Sequence, residues 1–263
     1  MPFNEKMKLI DTHSHLTYEG LIQSLDDVLQ RSSTAGVTKW ISVGTDAEHN
    51  GKVIAIADKY ENLYAALGIH PHHASEYQRQ DLQRLIELTK HTKVVALGET
   101  GLDFHYNFSK QDAQKELFRS FLEIAAQTKL PVIIHSRDAF DETMEIIDRF
   151  ADKETKIVFH CWSGTVEQTR VVLDRGFYIS FTGVITFKNA QQAREVVKVV
   201  PIERMMIETD CPFMSPEPMR RQKVNEPALL VHTAARIAEI KGTDIETLAE
   251  KLTATTKGFF NLS

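Results

Sequence analysis

The sequence predicts a (β/α)8 barrel, and three observations carry that reading. Short β-rich apolar runs alternate with longer amphipathic ones, the pattern of parallel βαβ units. Eight such units occupy about 250 residues in a closed barrel, and this chain has 263. The residues able to do chemistry stand at the ends of the strand runs, where a barrel gathers its site. An open doubly wound sheet is the alternative. It carries a Gly-rich phosphate turn after its first strand, whereas here the first run leads into Asp11-Thr12-His13-Ser14-His15.

The strand runs fall at residues 8–12, 39–43, 64–67, 94–97, 132–134, 156–159, 178–181 and 205–208. Helical patterns lie between them. The segment 22–35 stops at Gly36, a natural helix terminator. Residues 113–129 carry Leu117, Phe121, Ile124 and Ala125 on one face at helical spacing. The segment 166–175 stops at Gly176, and helices over 227–241 and 244–255 follow the last strand. With no low-complexity linker, internal repeat or charge block, residues 1–263 read as one barrel domain.

Composition narrows the function. Apolar residues make up 42% and charged residues 25%, enough apolar side chain for a sizeable core. The net charge of −5 argues against a protein that coats DNA in general and leaves room for a local basic patch. No run of about 18 apolar residues is present, so no transmembrane helix is expected. The start, MPFNEKMKLIDTHSH, lacks the apolar stretch of a secretory signal, so a cytoplasmic location is expected. Two cysteines, Cys161 and Cys211, are too few for a disulfide scaffold. Both read as small packing residues on the sixth and eighth strands.

The 11 histidines are the unusual count, and their placement matters. The first run ends in His13 and His15, two apart and so on one face of an extended strand. The fourth ends in Glu99, the fifth in His135, the sixth in His160 and the eighth in Asp210. His135 to His160 spans 25 residues, about one βα unit, and His160 to Asp210 spans 50, about two. Four imidazoles and two carboxylates at one barrel mouth fit a divalent metal site, with Zn²⁺, Mn²⁺, Fe²⁺, Co²⁺ or Mg²⁺ as occupants. Six ligands exceed the need of one tetrahedral ion, so a pair about 3.5–4 Å apart sharing a carboxylate is expected.

Seven stretches carry a family resemblance: DTHSH at 11–15, GIHPHHA at 68–74, GETGLDF at 98–104, PVIIHSRDA at 131–139, HCWSGT at 160–165, ETDCPFMSP at 208–216 and NEP at 225–227. Together the sequence resembles the TatD-type metal-dependent deoxyribonucleases of the amidohydrolase superfamily. The resemblance implies a two-metal hydrolase. His13, His15, Glu99 and Asp210 would hold one ion, and Glu99, His135 and His160 the other. It implies two divalent ions (Mg, Mn or Zn), exonuclease cleavage of single-stranded DNA or its 3′ ends, and no membrane partner. Members are also linked to other ester substrates. The chain departs from the family at Arg220-Arg221-Gln222-Lys223-Val224, where a Gly-containing basic run is common, and at Trp162, where phenylalanine is common.

Asp210 is the expected catalytic base, holding a metal and taking the proton of the attacking water, with Glu99 as the second catalytic carboxylate. Glu208, two before Asp210, reads as its support or as interior filling. His70 ends the third strand and is read as a phosphate or leaving-group contact, or else as structural. Arg137 follows His135 by two and is a substrate contact, or else an ion-pair partner. Arg220, Arg221 and Lys223 cluster after the eighth strand, where barrels often bind phosphate, or else form a solvated face. Hydrolysis of a small ester or lactone is the competing activity. A dead barrel that only binds should have lost ligands, and all six are present.

Overall fold

The computed structural model describes residues 7–106 and 108–263. Among them are eight parallel strands: β1 Leu9–Ser14, β2 Val37–Val43, β3 Leu63–Leu67, β4 Val94–Asp103, β5 Val132–Arg137, β6 Ile157–Phe159, β7 Tyr178–Phe181 and β8 Met205–Ile207. They form one sheet in chain order, β1 to β8. The ring closes where β8 returns to β1. Thr12 Oγ1 donates to Ile207 O at 3.0 Å, Asp210 N to His13 O at 2.9 Å, and His15 N to Cys211 O at 2.8 Å. This is the (β/α)8 barrel expected from the strand–helix alternation. No described helix is long and apolar enough to cross a membrane.

The interleaved helices are α1 Leu25–Thr34, α2 Ala47–Lys59, α3 Arg79–Leu88, α4 Gln111–Thr128, α5 Phe140–Phe150, α6 Val166–Asp174 and α7 Gln191–Val199, with α8 Leu230–Lys241 and α9 Ile245–Phe260 after the last strand. Several starts are written in local chemistry. Asp46 and Asp244 cap α2 and α9 by accepting the backbone N–H of His49 and Thr247. Thr165 and Gln168 form a reciprocal capping box on α6.

Some boundaries differ from the sequence reading. The segment read as a helix over 22–35 begins as a 3-10 turn, Ile22–Ser24, and 227–241 likewise begins as Pro227–Leu229. The helix over 244–255 runs on to Phe260, burying Phe259 and Phe260. The largest correction is β4, which continues six residues past the expected Leu97. Its two glycines, Gly98 and Gly101, look like strand breakers in sequence. Both have positive φ, 129° and 132°, and a Cβ on either would collide with the β5 backbone, at Ile133 O and His135 O respectively. They let β4 run close beside β5 instead of ending it.

The described residues sort into two compact units, 7–42 with 161–263, and 43–160. In the first, α8 and α9 pack against β1 and β8. Phe259 meets Tyr178 edge-on at 4.8 Å. In the second, α4 lays Leu117, Phe118, Phe121 and Leu122 against β4, all buried. Truncating either phenylalanine to alanine removes about 3–5 kcal/mol of stability.

Candidate functional site

In the unit Val43–His160 the register of β4 and β5 builds a cluster. Thr100 pairs with Ile134, Gly101 with His135 and Asp103 with Arg137. Glu99, Gly101 and Asp103 alternate along β4, so both carboxylates leave the same face, flanking His135. His135 reaches both. Its Nδ1 is 2.9 Å from Glu99 Oε1 and its Nε2 is 3.0 Å from Asp103 Oδ2. His160, just past β6, brings Nε2 to 2.7 Å from the same Glu99 oxygen and 3.2 Å from His135 Nδ1. His70 adds Nε2 at 3.4 Å from Glu99 Oε1. Glu99 therefore lies inside β4, not at a strand end as expected.

Hydrogen bonding sets which nitrogen each ring offers. Asp103 is buried and accepts from four donors: His135 and His72 at Oδ2, and the His105 and Tyr106 N–H groups at Oδ1, at 2.8–3.1 Å. Burial alone would raise its carboxyl, but the bonds from His135, Tyr106 and His72 outweigh it and hold it well below the usual range. An ionised carboxylate only accepts, so His135 keeps its proton on Nε2. Burial works to lower the His135 pKa, yet Asp103 and Glu99 together hold it above its ordinary value. When the ring gives up one proton it is the one on Nδ1, facing Glu99 and His160. His70 is the reverse case. Its Nδ1 accepts the His72 N–H at 3.1 Å, so Nε2 carries the proton and faces Glu99. Burial pulls that imidazole down to about 4 against the pull of Glu99.

The other unit holds a second cluster. His13, in β1, and His15, one residue past its end, present their Nε2 atoms 3.2 Å apart. Asp210 Oδ1 lies 3.7 Å and 3.3 Å from them. Strand β8 ends at Ile207, so Asp210 stands three residues beyond it, in the left-handed region at φ 51°. Three residues hold that turn. Asp210 N–H donates to His13 O. Asp11 accepts from Thr209 N at 2.9 Å and Thr209 Oγ1 at 2.5 Å. Buried Asn225 donates to Thr209 O at 2.9 Å and Phe213 O at 2.7 Å. Full burial pushes the Asp11 carboxyl up to about 7, outweighing the Thr209 bonds.

The donor sets fit divalent ions. Ligand atoms held about 2.0–2.1 Å from one tetrahedral ion stand about 3.3 Å from each other. The spacings here are 3.2, 3.3 and 3.7 Å in one cluster and 2.7, 2.9 and 3.2 Å in the other. The ring nitrogen of one imidazole facing that of another at 3.2 Å needs a proton or a cation between their lone pairs. His70, Glu99 and His135 also place ligand-type atoms within 4.8 Å of one another, but the protonated Nε2 of His70 makes it a donor rather than a ligand.

The remaining expected residues are placed as follows. Strand β5 does run on to Arg137, and the guanidinium lies over the Tyr106 ring at 4.7 Å. Arg221 and Lys223 are exposed, while Arg220 covers the Phe187 ring at 4.2 Å. Glu208 supports Cys161, accepting its N–H at 2.6 Å, and receives Thr12 Oγ1 at 3.4 Å. Trp162 is buried, with its indole N–H donating to Thr169 Oγ1 at 2.9 Å, so α6 supplies the partner that a phenylalanine would not need. Cys161 and Cys211 are free thiols. They follow β6 and β8 rather than lying on them, and Cys161 takes a left-handed φ of 44°. Sequence reasoning missed Asp103, Asn225 and Asp11. The signal for Asp103 was its two-residue spacing from Gly101, hidden once β4 was ended at Leu97. Asn225 and Asp11 lay in quoted motifs without a role.

Comparison with known proteins identifies the family. A family model described as TatD related DNase matches residues 10–261. A metal-dependent hydrolase of Bacillus subtilis, YabD, is 38% identical over 255 residues, covering 97% of this chain and 100% of that protein. The 3'-5' ssDNA/RNA exonuclease TatD of Citrobacter koseri is 34% identical over 259 residues, covering 97% and 100%. Among solved structures, the TatD homologue YjjV of Escherichia coli superposes with a TM-score of 0.91 at 31% identity, covering 98% of this chain and 100% of that one. With a family model matching nearly its whole length and relatives up to 38% identical, the chain belongs to the TatD-related DNase family.

Proposed function

We propose that this chain, read as one domain over residues 1–263, is a two-metal exonuclease that releases nucleotides from the 3′ end of single-stranded nucleic acid. The observation that carries the reading is the pair of clusters in which imidazole nitrogens and carboxylate oxygens meet at ligand spacing. His13, His15 and Asp210 are assigned to one divalent ion and His135 and His160 to the other, with Glu99 assigned to both. When bound, such ions (Mg, Mn or Zn) lower the pKa of water and polarise a phosphoryl oxygen. Asp210 is the base that takes the proton of the attacking water. The His70 Nε2–H suits a phosphate oxygen or the leaving group. Arg137, Arg221 and Lys223 supply positive charge for the backbone of the strand. The polarity and the single-stranded substrate follow the named activity of the Citrobacter relative. The reading includes a cytoplasmic setting, where such a substrate resides.

The test is a digest of 5′- and 3′-labelled single-stranded DNA with Mg²⁺, Mn²⁺ or Zn²⁺. A 5′ label should yield a descending ladder that excess EDTA abolishes. Absence of metal-dependent release, alongside turnover of a small ester or lactone, would overturn the nuclease reading and favour the competing hydrolase.

A further inference from the structure

The loop after β4 carries two exposed aromatic rings that the metal chemistry does not use. Phe108 is 71% exposed and Tyr106 43%. Their rings lie 5.7 Å apart and nearly parallel, 17° between planes. His72 meets both edge-on, at 4.8 Å and 5.8 Å, and the Arg137 guanidinium covers Tyr106 at 4.7 Å. The loop is anchored to the cluster. Tyr106 N–H and His72 Nε2 both bond Asp103, the carboxylate that also holds His135.

We propose that Tyr106 and Phe108, flanked by His72 and Arg137, form a stacking platform for a nucleobase of the strand whose phosphates face the metal cluster. The proposal rests on the nuclease reading above. Base–aromatic stacking tolerates any sequence, because every base has a π face. That suits an exonuclease, which must accept each base in turn. The Arg137 cation beside the rings adds attraction for a base or its phosphate. A protein partner is the less fitting occupant, since a stable interface needs about 800 Å² per partner, far more than two rings provide. Asp103 bonds Tyr106 N–H, His72 and His135 together, so the platform lies directly beside the cluster and a stacked base would hold its phosphodiester near it.

The experiment uses a short single-stranded oligonucleotide with nuclease-resistant phosphorothioate linkages, bound in the presence of Mg²⁺. In one version the 3′-terminal base is 2-aminopurine, and in another that nucleotide is abasic. Wild type should quench the 2-aminopurine fluorescence. Phe108→Ala should lose most of the quench and bind the base-bearing strand about fivefold or more weakly, while binding the abasic strand as wild type does. Phe108→Trp should restore quench and affinity. Phe108 is exposed, so these variants keep the core, and circular dichroism checks that. Equal affinity of wild type and Phe108→Ala for the base-bearing strand would overturn the platform, as would an equal loss on the abasic strand. Ladders from ordinary DNA separate the two readings. A wild type that cuts DNA but ignores Phe108 loses only the platform, whereas one that neither binds nor cuts DNA loses both.

Discussion

Replacing Asp103 by asparagine tests whether one buried carboxylate decides which nitrogen His135 offers to a metal. Oδ1 accepts two backbone N–H groups, and Oδ2 accepts His135 and His72 at 3.0 Å and 3.1 Å. An asparagine can serve only one side with its oxygen. If the oxygen stays on the backbone side, the amide NH₂ faces two imidazole Nε2–H groups. His135 must then move its proton to Nδ1 to accept from the amide, and the nitrogen facing Glu99 and His160 loses its lone pair. If the amide flips, two backbone N–H groups face the NH₂, at a cost of about 1–3 kcal/mol each. The first arrangement is cheaper, so the tautomer inverts. Loss of such a partner lowers metal affinity about 10–100-fold, or about 1.4–2.8 kcal/mol. Titration calorimetry with Mn²⁺ or Zn²⁺, on protein checked for folding, should show one weakened site, with the site at His13, His15 and Asp210 retained. Nitrogen-15 NMR of the ring reads the tautomer independently of activity. Unchanged affinity at both sites, with His135 still protonated at Nε2, would refute the argument.

Three further outcomes are expected. Asp210→Asn keeps one oxygen ligand but cannot act as a base near neutral pH, so activity per bound metal should fall about 10²–10⁴-fold; activity within a few-fold of wild type at full occupancy would make Asp210 a ligand only. Arg221→Ala should weaken single-stranded DNA binding and reduce the slope of log K against log salt by about 0.7, and identical slopes would return Arg221 to the solvated surface. Asn225→Ala removes the donors to Thr209 O and Phe213 O and the acceptor of the Glu226 N–H; it should cost about 2–4 kcal/mol and lower Tm by about 5–15 °C, and a calorimetric Tm within about 2 °C of wild type would contradict its role in holding the Asp210 turn.

Sequence alone determined the alternation of strands and helices, because apolar periodicity and helix caps are local properties of the chain. It also marked out the histidines and carboxylates as candidate ligands. Two histidines two apart at a strand end are expected to point the same way, and His13 and His15 bring their Nε2 atoms to 3.2 Å although β1 stops at Ser14. Tertiary structure decided what depends on partners distant in the chain. Whether Gly98 and Gly101 end a strand or continue it depends on the β5 backbone beside them, 35 and 34 residues later, at Ile133 and His135. Once β4 continues, Asp103 comes level with Arg137 and its carboxylate reaches His135. That contact settles the protonated nitrogen of His135 as Nε2, turned away from Glu99, whereas at His70 the neighbouring His72 N–H leaves the same nitrogen protonated but facing Glu99. No spacing rule contains this information. A tautomer is set by the hydrogen-bond partner of the far nitrogen, and for His135 that partner exists only once the strands are in register.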